Sequence, residues 1–135
     1  MKRFLIPLLA TFAVIFVTDM VIHGMILKTD YEASKGLWRS DAEMQQCMGS
    51  MMLGQFMLAL GMVLFWLRGS VEKANWQSAF TFGLTTGLLG LAYIPIFYAV
   101  QPLPSTLCVK WVVFGLFQTL MTSIVLFLVT RSKKA

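Results

Sequence analysis

Asp19 and His23 stand four residues apart inside an apolar run from Phe4 to Leu27, and Asp19 is the only carboxylate deep within any such run. An acid at the centre of a membrane helix costs roughly +2.5 to +3.5 kcal/mol on insertion scales, so it is expected to face a partner, a cavity or a transport path. The i, i+4 spacing puts both side chains on one helix face. At about 1.5 Å of rise per residue, Asp19 would lie roughly 12 Å and His23 roughly 6 Å inside the outer end of that helix. A hydrogen bond between the two would lower the cost of burial and hold the imidazole in one tautomer. Such a pair suits proton entry, cation binding or the orienting of a ligand. The alternative is packing, in which Asp19 bonds to His23 and to polar groups of other helices such as Gln55, Thr119 or Tyr93.

Sulfur forms the second constellation. Cys47 and Cys108 are expected at the outer ends of their helices, where an oxidising compartment would favour a structural disulfide between them; two free thiols used as small packing residues are the alternative. Met44, Met48, Met51 and Met52 surround Cys47, and with His23 at similar depth the set His23, Cys47, Met48 and Met51 has the softness that selects Cu(I). The chain has no CxxC, no HxxxH and no repeated MxxM array, and Met fills irregular apolar gaps well, so packing is preferred over copper. No cofactor is expected.

The elements that position these residues follow from composition. With 58% hydrophobic and 13% charged residues among 135, the chain is too apolar for a soluble domain of its size and belongs in the membrane class. Four stretches, 4–27, 44–67, 76–100 and 107–130, are each long enough for a hydrocarbon core of about 30 Å. The runs are continuous rather than alternating, so they read as helices. The expected fold is an all-α integral membrane protein, a single domain over 1–135, with four transmembrane helices in an antiparallel bundle and an outer loop at 28–43. Met1, Lys2 and Arg3 ahead of the first run resemble a signal peptide with a weak cleavage site at Ala13, but the run continues through Val17, so a retained helix is expected.

The net charge of +5 is not gathered into a nucleic-acid surface, and no nucleic-acid partner is expected. Lys2, Arg3, Arg68, Lys73, Arg131, Lys133 and Lys134 fall on one side of the bundle; Lys28, Lys35, Arg39 and Lys110 fall on the other. That bias puts both termini in the cytoplasm, in a cell membrane of bacterial inner-membrane type. Ser40 with Glu43 reads as a capping box, and Asn75 and Ser105 as further helix caps. Trp38, Trp66, Trp76 and Trp111 are placed near interfaces as anchors.

With an offset of 61, Cys47, Gly54, Phe56 and Leu67 meet Cys108, Gly115, Phe117 and Leu128, a faint repeat in which each half is a helical hairpin. Matching Thr11 to Thr85 sets Asp19 against Tyr93 and His23 against Phe97. Gly83 and Gly87 form a GxxxG pair with Gly90 a turn further on, and Gly54 and Gly61 share a stripe; these are close-packing signals. Pro95 should kink the third helix near Tyr93 and open a cavity facing Asp19.

No Ser-centred elbow, phosphate loop or paired-carboxylate motif is present, so the reading leans away from an enzyme. Tyr31, Trp38 and Arg39 give the outer loop the means to lie in the interface or dock on a partner. Four short helices with one acid in the first resemble the small multidrug-resistance transporters in layout. The resemblance is architectural, since those proteins have shorter loops, and none of their substrate site is carried over. Two functions are expected. The first is an accessory or scaffold subunit of a larger membrane complex, of a respiratory or electron-transfer kind, contacting other subunits or a second copy of itself within the lipid bilayer. The alternative is a small proton-coupled transporter or ion-binding protein that uses Asp19 as its titrating group.

Overall fold

The computed structural model describes residues 2–69 and 74–131. Met1 and the cations Lys73, Lys133 and Lys134, expected on the inner side, lie outside them. Helix α1 spans Lys2–Val21 and passes into a π-helical turn, Ile22–Ile26. Residues 28–46 hold α2 (Lys28–Ala33), a 3-10 turn (Lys35–Leu37) and α3 (Asp41–Gln46). Then come α4 (Met48–Arg68), α5 (Trp76–Leu91), α6 (Tyr93–Val100) and α7 (Ser105–Thr130). Four segments are long and apolar enough to cross a membrane: Arg3–Ile26, Met48–Arg68, Trp76–Val100 and Ser105–Thr130.

Local chemistry sets most boundaries. Ser40 and Glu43 form the complete capping box, which starts α3 at Asp41. The chain is therefore helical from Asp41, but the second apolar span begins at Met48 rather than 44, after a break at Cys47 where polar α3 gives way to apolar α4. Asn75 caps α5 by accepting from the Ser78 backbone N–H at 2.9 Å. Ser105 is not a cap. The extended residue before α7 is Pro104, which has no side-chain acceptor to offer, and Ser105 is already helical. The third span breaks at Ala92, between α5 and α6. The cause is Pro95: it lacks an N–H, and its ring crowds the carbonyl four residues back, that of Leu91. Residues 28–43, expected to be a loop, are mostly helical and folded onto the N-terminal end of the protein's own α7.

The helices pack in a short chain of neighbours, α4 on α1, α1 on α7 and α7 on α5. The α5–α7 contact is the closest. A Cβ on Gly83 would stand 3.0 Å from the Leu120 Cα and the Thr119 carbonyl oxygen, and one on Gly87 would stand 2.5 Å from Thr119 Oγ1. Across the same seam Gly115 would meet Leu91 at 2.5 Å. The GxxxG pair is thus used within the chain, where small residues let two backbones approach. At the end opposite residues 28–46, Val63, Trp66, Ala79, Leu126 and Phe127 form a buried cluster, and Trp66 Nε1–H donates to Thr130 Oγ1 at 2.8 Å. Trp66 is therefore a core residue rather than an exposed anchor. Outward faces are apolar, with Phe65 71% and Leu89 75% exposed, a surface suited to hydrocarbon.

Candidate functional site

Asp19 is held by two amides from two other helices. Gln55 Nε2–H of α4 donates to Asp19 Oδ2 at 2.6 Å, and Gln118 Nε2–H of α7 donates to Oδ1 at 2.6 Å. Gln118 also reaches Thr18 Oγ1 at 2.8 Å and the Ile15 carbonyl at 3.2 Å. The carboxylate therefore joins three spans at one point. Each carboxylate oxygen has accepted one N–H and keeps a second lone-pair direction. Gln55 was anticipated as a partner of Asp19; Gln118 was not, although it is the only amide side chain within the fourth apolar run.

His23 does not hydrogen-bond Asp19 directly, contrary to the i, i+4 expectation. Its Nε2 stands 3.9 Å from Asp19 Oδ1. The turn that carries it is π-helical, closed by the Leu27 N–H to Ile22 carbonyl bond at 2.8 Å, so α-helical stacking does not apply there. His23 instead meets Tyr31 of α2, with Nδ1 2.6 Å from the phenolic oxygen. Trp111 Nε1–H of α7 donates to that same phenol at 2.8 Å. With its oxygen accepting from Trp111, Tyr31 has its O–H free to donate to His23 Nδ1. A neutral imidazole then carries its proton on Nε2, on the side of Asp19. Tyr31, His23 and Asp19 thus form a line from α2 to the C-terminal end of α1, with one gap of 3.9 Å between His23 Nε2 and Asp19 Oδ1.

The segment from Lys28 to Trp38 is tied down around this line. Tyr31, Trp38 and Trp111 pack as a three-ring cluster, with centroids 5.4 Å apart for Tyr31–Trp38 and 6.0 Å for Trp38–Trp111. Trp38 Nε1–H donates to Ser34 Oγ at 2.9 Å, and Lys110 Nζ–H donates to both oxygens of Asp30, at 2.6 and 2.8 Å. Tyr31 and Trp38, two of the three residues assigned to partner docking, are spent on the chain's own α7, while Arg39 is exposed. Partial burial raises the Tyr31 phenol above its ordinary value; the Trp111 hydrogen bond opposes that rise and the neighbouring Asp19 carboxylate adds to it.

A cavity of about 460 Å³ opens beside Asp19 and His23. Its walls include Thr86, Gly90, Tyr93 and Ile94 around the α5–α6 break, and Trp111, Phe114, Gln118 and Thr119 of α7. Tyr93 shares the cavity with Asp19 rather than bonding to it. Thr119, the other packing candidate, donates to the Leu116 carbonyl of its own helix.

The disulfide expectation is corrected. Cys47 and Cys108 are both free. Cys47 sits at the break between α3 and α4, whose neighbour is α1, while Cys108 is buried with Ile94 and Leu103. The copper set is dispersed in role: His23 is engaged by Tyr31, and Met48 and Met51 are exposed. Among the described residues, no three of His, Cys, Asp and Glu gather as a metal site. Comparisons with protein families, curated proteins and solved structures find no match to this chain.

Proposed function

We propose that this chain is a small transporter or ion-binding protein of a cell membrane, which takes up a proton or cation at Asp19 from the side that carries residues 28–46. The observation that carries this reading is the position of Asp19, clasped by Gln55 and Gln118 and forming part of the wall of a 460 Å³ cavity. Were the carboxylate only a packing device, a cavity beside it would be a cost; buried polar groups of that kind are normally closed over. The Tyr31–His23 line gives protons a route to it. Protonating Asp19 at a free lone pair would remove its charge and weaken both amide bonds, since hydrogen bonds to an ionised acceptor are roughly twice as strong as neutral ones. That links proton binding to the contacts of α1 with α4 and α7.

The bundle is antiparallel in this reading, with two hairpins, α1 with α4 and α5 with α7. In support, Gly83 lies against Ser123, Gly87 against Thr119 and Leu91 against Gly115, so numbers rise on one helix as they fall on the other. Both termini are cytoplasmic by the seven-to-four distribution of Lys and Arg, in a bacterial inner membrane. The test is proton-coupled uptake or release by protein reconstituted in liposomes. Wild type is expected to carry a flux that Asp19→Asn abolishes; an equal flux in both would remove the assignment.

A second reading, an accessory subunit of a larger membrane complex, is favoured by α4. Gly54 and Gly61, on one stripe of the helix, have nothing within 4 Å of where a Cβ would stand, an open small-residue face of the kind that seats a neighbouring helix. Purification from native membranes with stoichiometric partners would support it, and recovery of a self-assembled form alone would count against it.

A further inference from the structure

We infer that the seam between α1 and α7, on the side of Asp19 away from residues 28–46, binds water at the Thr11 hydroxyl. That water begins the route by which Asp19 exchanges its proton with the far side of the membrane. This deepens the proposed function and rests on it, because a carrier must reach its titrating group from both sides. Thr11 is the residue that points to a ligand. It is completely buried, and among the described residues its Oγ1 has no hydrogen-bond partner. By contrast Thr18, Thr86, Thr119, Thr122, Ser123 and Thr130 each donate to the carbonyl three or four residues back in their own helix. A buried hydroxyl left free is costly, and a bound water is a common remedy.

Register places a second hydroxyl level with Thr11. Gln118 bonds to Thr18, Asp19 and the Ile15 carbonyl, while Leu126, two turns on, belongs to the cluster on which Phe4 packs. Thr122 lies between Gln118 and Leu126 on one stripe of α7, as Thr11 lies between Ile15 and Phe4 on α1. Thr122 is also completely buried, and with its O–H given to the Gln118 carbonyl at 2.7 Å it can only accept. A water that donates to Thr122 and accepts from Thr11 satisfies both. Ala59 and Met62 of α4, buried with Leu8 and Ile15 on either side of Thr11, bring no N–H or O–H side chain to it. Beyond the seam, the cluster of Val63, Trp66, Leu126 and Phe127 closes the way, so water connects to the far side only when α1 and α7 part. Weakening of the Gln118 bond on protonation of Asp19 favours that parting. The carboxyl then gives its proton to a seam water and returns to carboxylate, and the excess proton passes between water oxygens to the far side.

The full-length protein, isotope-labelled at threonine and reconstituted in bilayers, is examined by magnetisation transfer from water in solid-state NMR. The Thr11 signal is identified by its loss in Thr11→Val. Transfer to Thr11 is expected despite its burial. In liposomes Thr11→Val is expected to slow the proton flux about tenfold or more while keeping the infrared band of protonated Asp19, and Thr11→Ser to restore the flux. Absent transfer at Thr11 overturns the water site. A Thr11→Val flux equal to wild type, with the higher Tm that removal of a dry, unpaired hydroxyl would give, overturns it too. Should Thr11→Val fail to fold, Thr11→Ser identifies the signal and Thr122→Val carries the flux test with the same slowing expected. If wild type carries no flux, or Asp19→Asn carries as much, the proposed function and the route fall together, and transfer at Thr11 alone decides the water site.

Discussion

At the scale of residues, the balance of forces around Asp19 sets the order of effects on mutation. Gln118 serves Asp19, Thr18 and the Ile15 carbonyl, whereas Gln55 serves Asp19 alone and leaves its own Oε1 buried without a partner. Gln118→Leu is therefore expected to destabilise more than Gln55→Leu, the former by about 1–2 kcal/mol in reversible unfolding, since bonds to charged groups are strong but membrane reference states also find partners. Tyr31→Phe keeps the ring cluster and deletes both phenol bonds. Because burial raises the phenol above its ordinary value of 10.0, the neutral form favours the fold. Its contribution is complete below pH 10.0 and is lost as pH rises through the higher folded value. Wild type should thus show an alkaline change in tryptophan fluorescence that Tyr31→Phe lacks. The Asp19–Gln55 bond was legible in the sequence because few polar groups are available within the spans. Gln118 was equally conspicuous, but spacing alone does not say which face of the fourth helix meets the first.

At the scale of elements, what was legible was whatever depends on near neighbours in the chain. The Ser40–Glu43 box, the Asn75 cap and the break before Pro95 all follow from chemistry within four residues. The π-helical turn at Ile22–Ile26 and the docking of α2 do not, because both are set by contacts to α7, where Ile22 and Leu27 bury against Leu107. That is why an Asp–His bond read from helical spacing became a Tyr–His bond. Two expectations belong here. Ser40 hydrogen bonds hold the Glu43 carboxyl below its usual value, so its capping contribution is full above pH 4.5 and fades as pH falls through the lower folded value. Glu43→Gln should remove that acid-side loss of helicity, read by circular dichroism. Glycines divide by environment: Gly87→Leu should abolish the folded state or strongly lower Tm, whereas Gly54→Leu, in open space, should leave Tm near wild type in detergent.

At the scale of the whole molecule, hydropathy made the four spans legible, while the order in which helices neighbour one another was not. The faint repeat set Cys47 and Cys108 as equivalents and suggested a staple between hairpins. The first two spans are instead joined to the last two through α1 and α7, by the Asp19–Gln118 bond and by packing near Phe4 and Phe127. Nonreducing mass mapping should find both thiols unpaired, with Cys47 alkylated faster than buried Cys108. At the end that carries residues 28–46, the Lys110–Asp30 pair and the Tyr31, Trp38 and Trp111 rings hold α2 against α7, and the acid within the spans, Asp19, stands close by and 26% exposed. Infrared difference spectroscopy on acidification tests most directly whether that acid titrates. Wild type is expected to gain a protonated-carboxyl band that is missing in Asp19→Asn and displaced in Gln118→Leu; superimposable acid-induced spectra from wild type and Asp19→Asn would contradict a titrating Asp19.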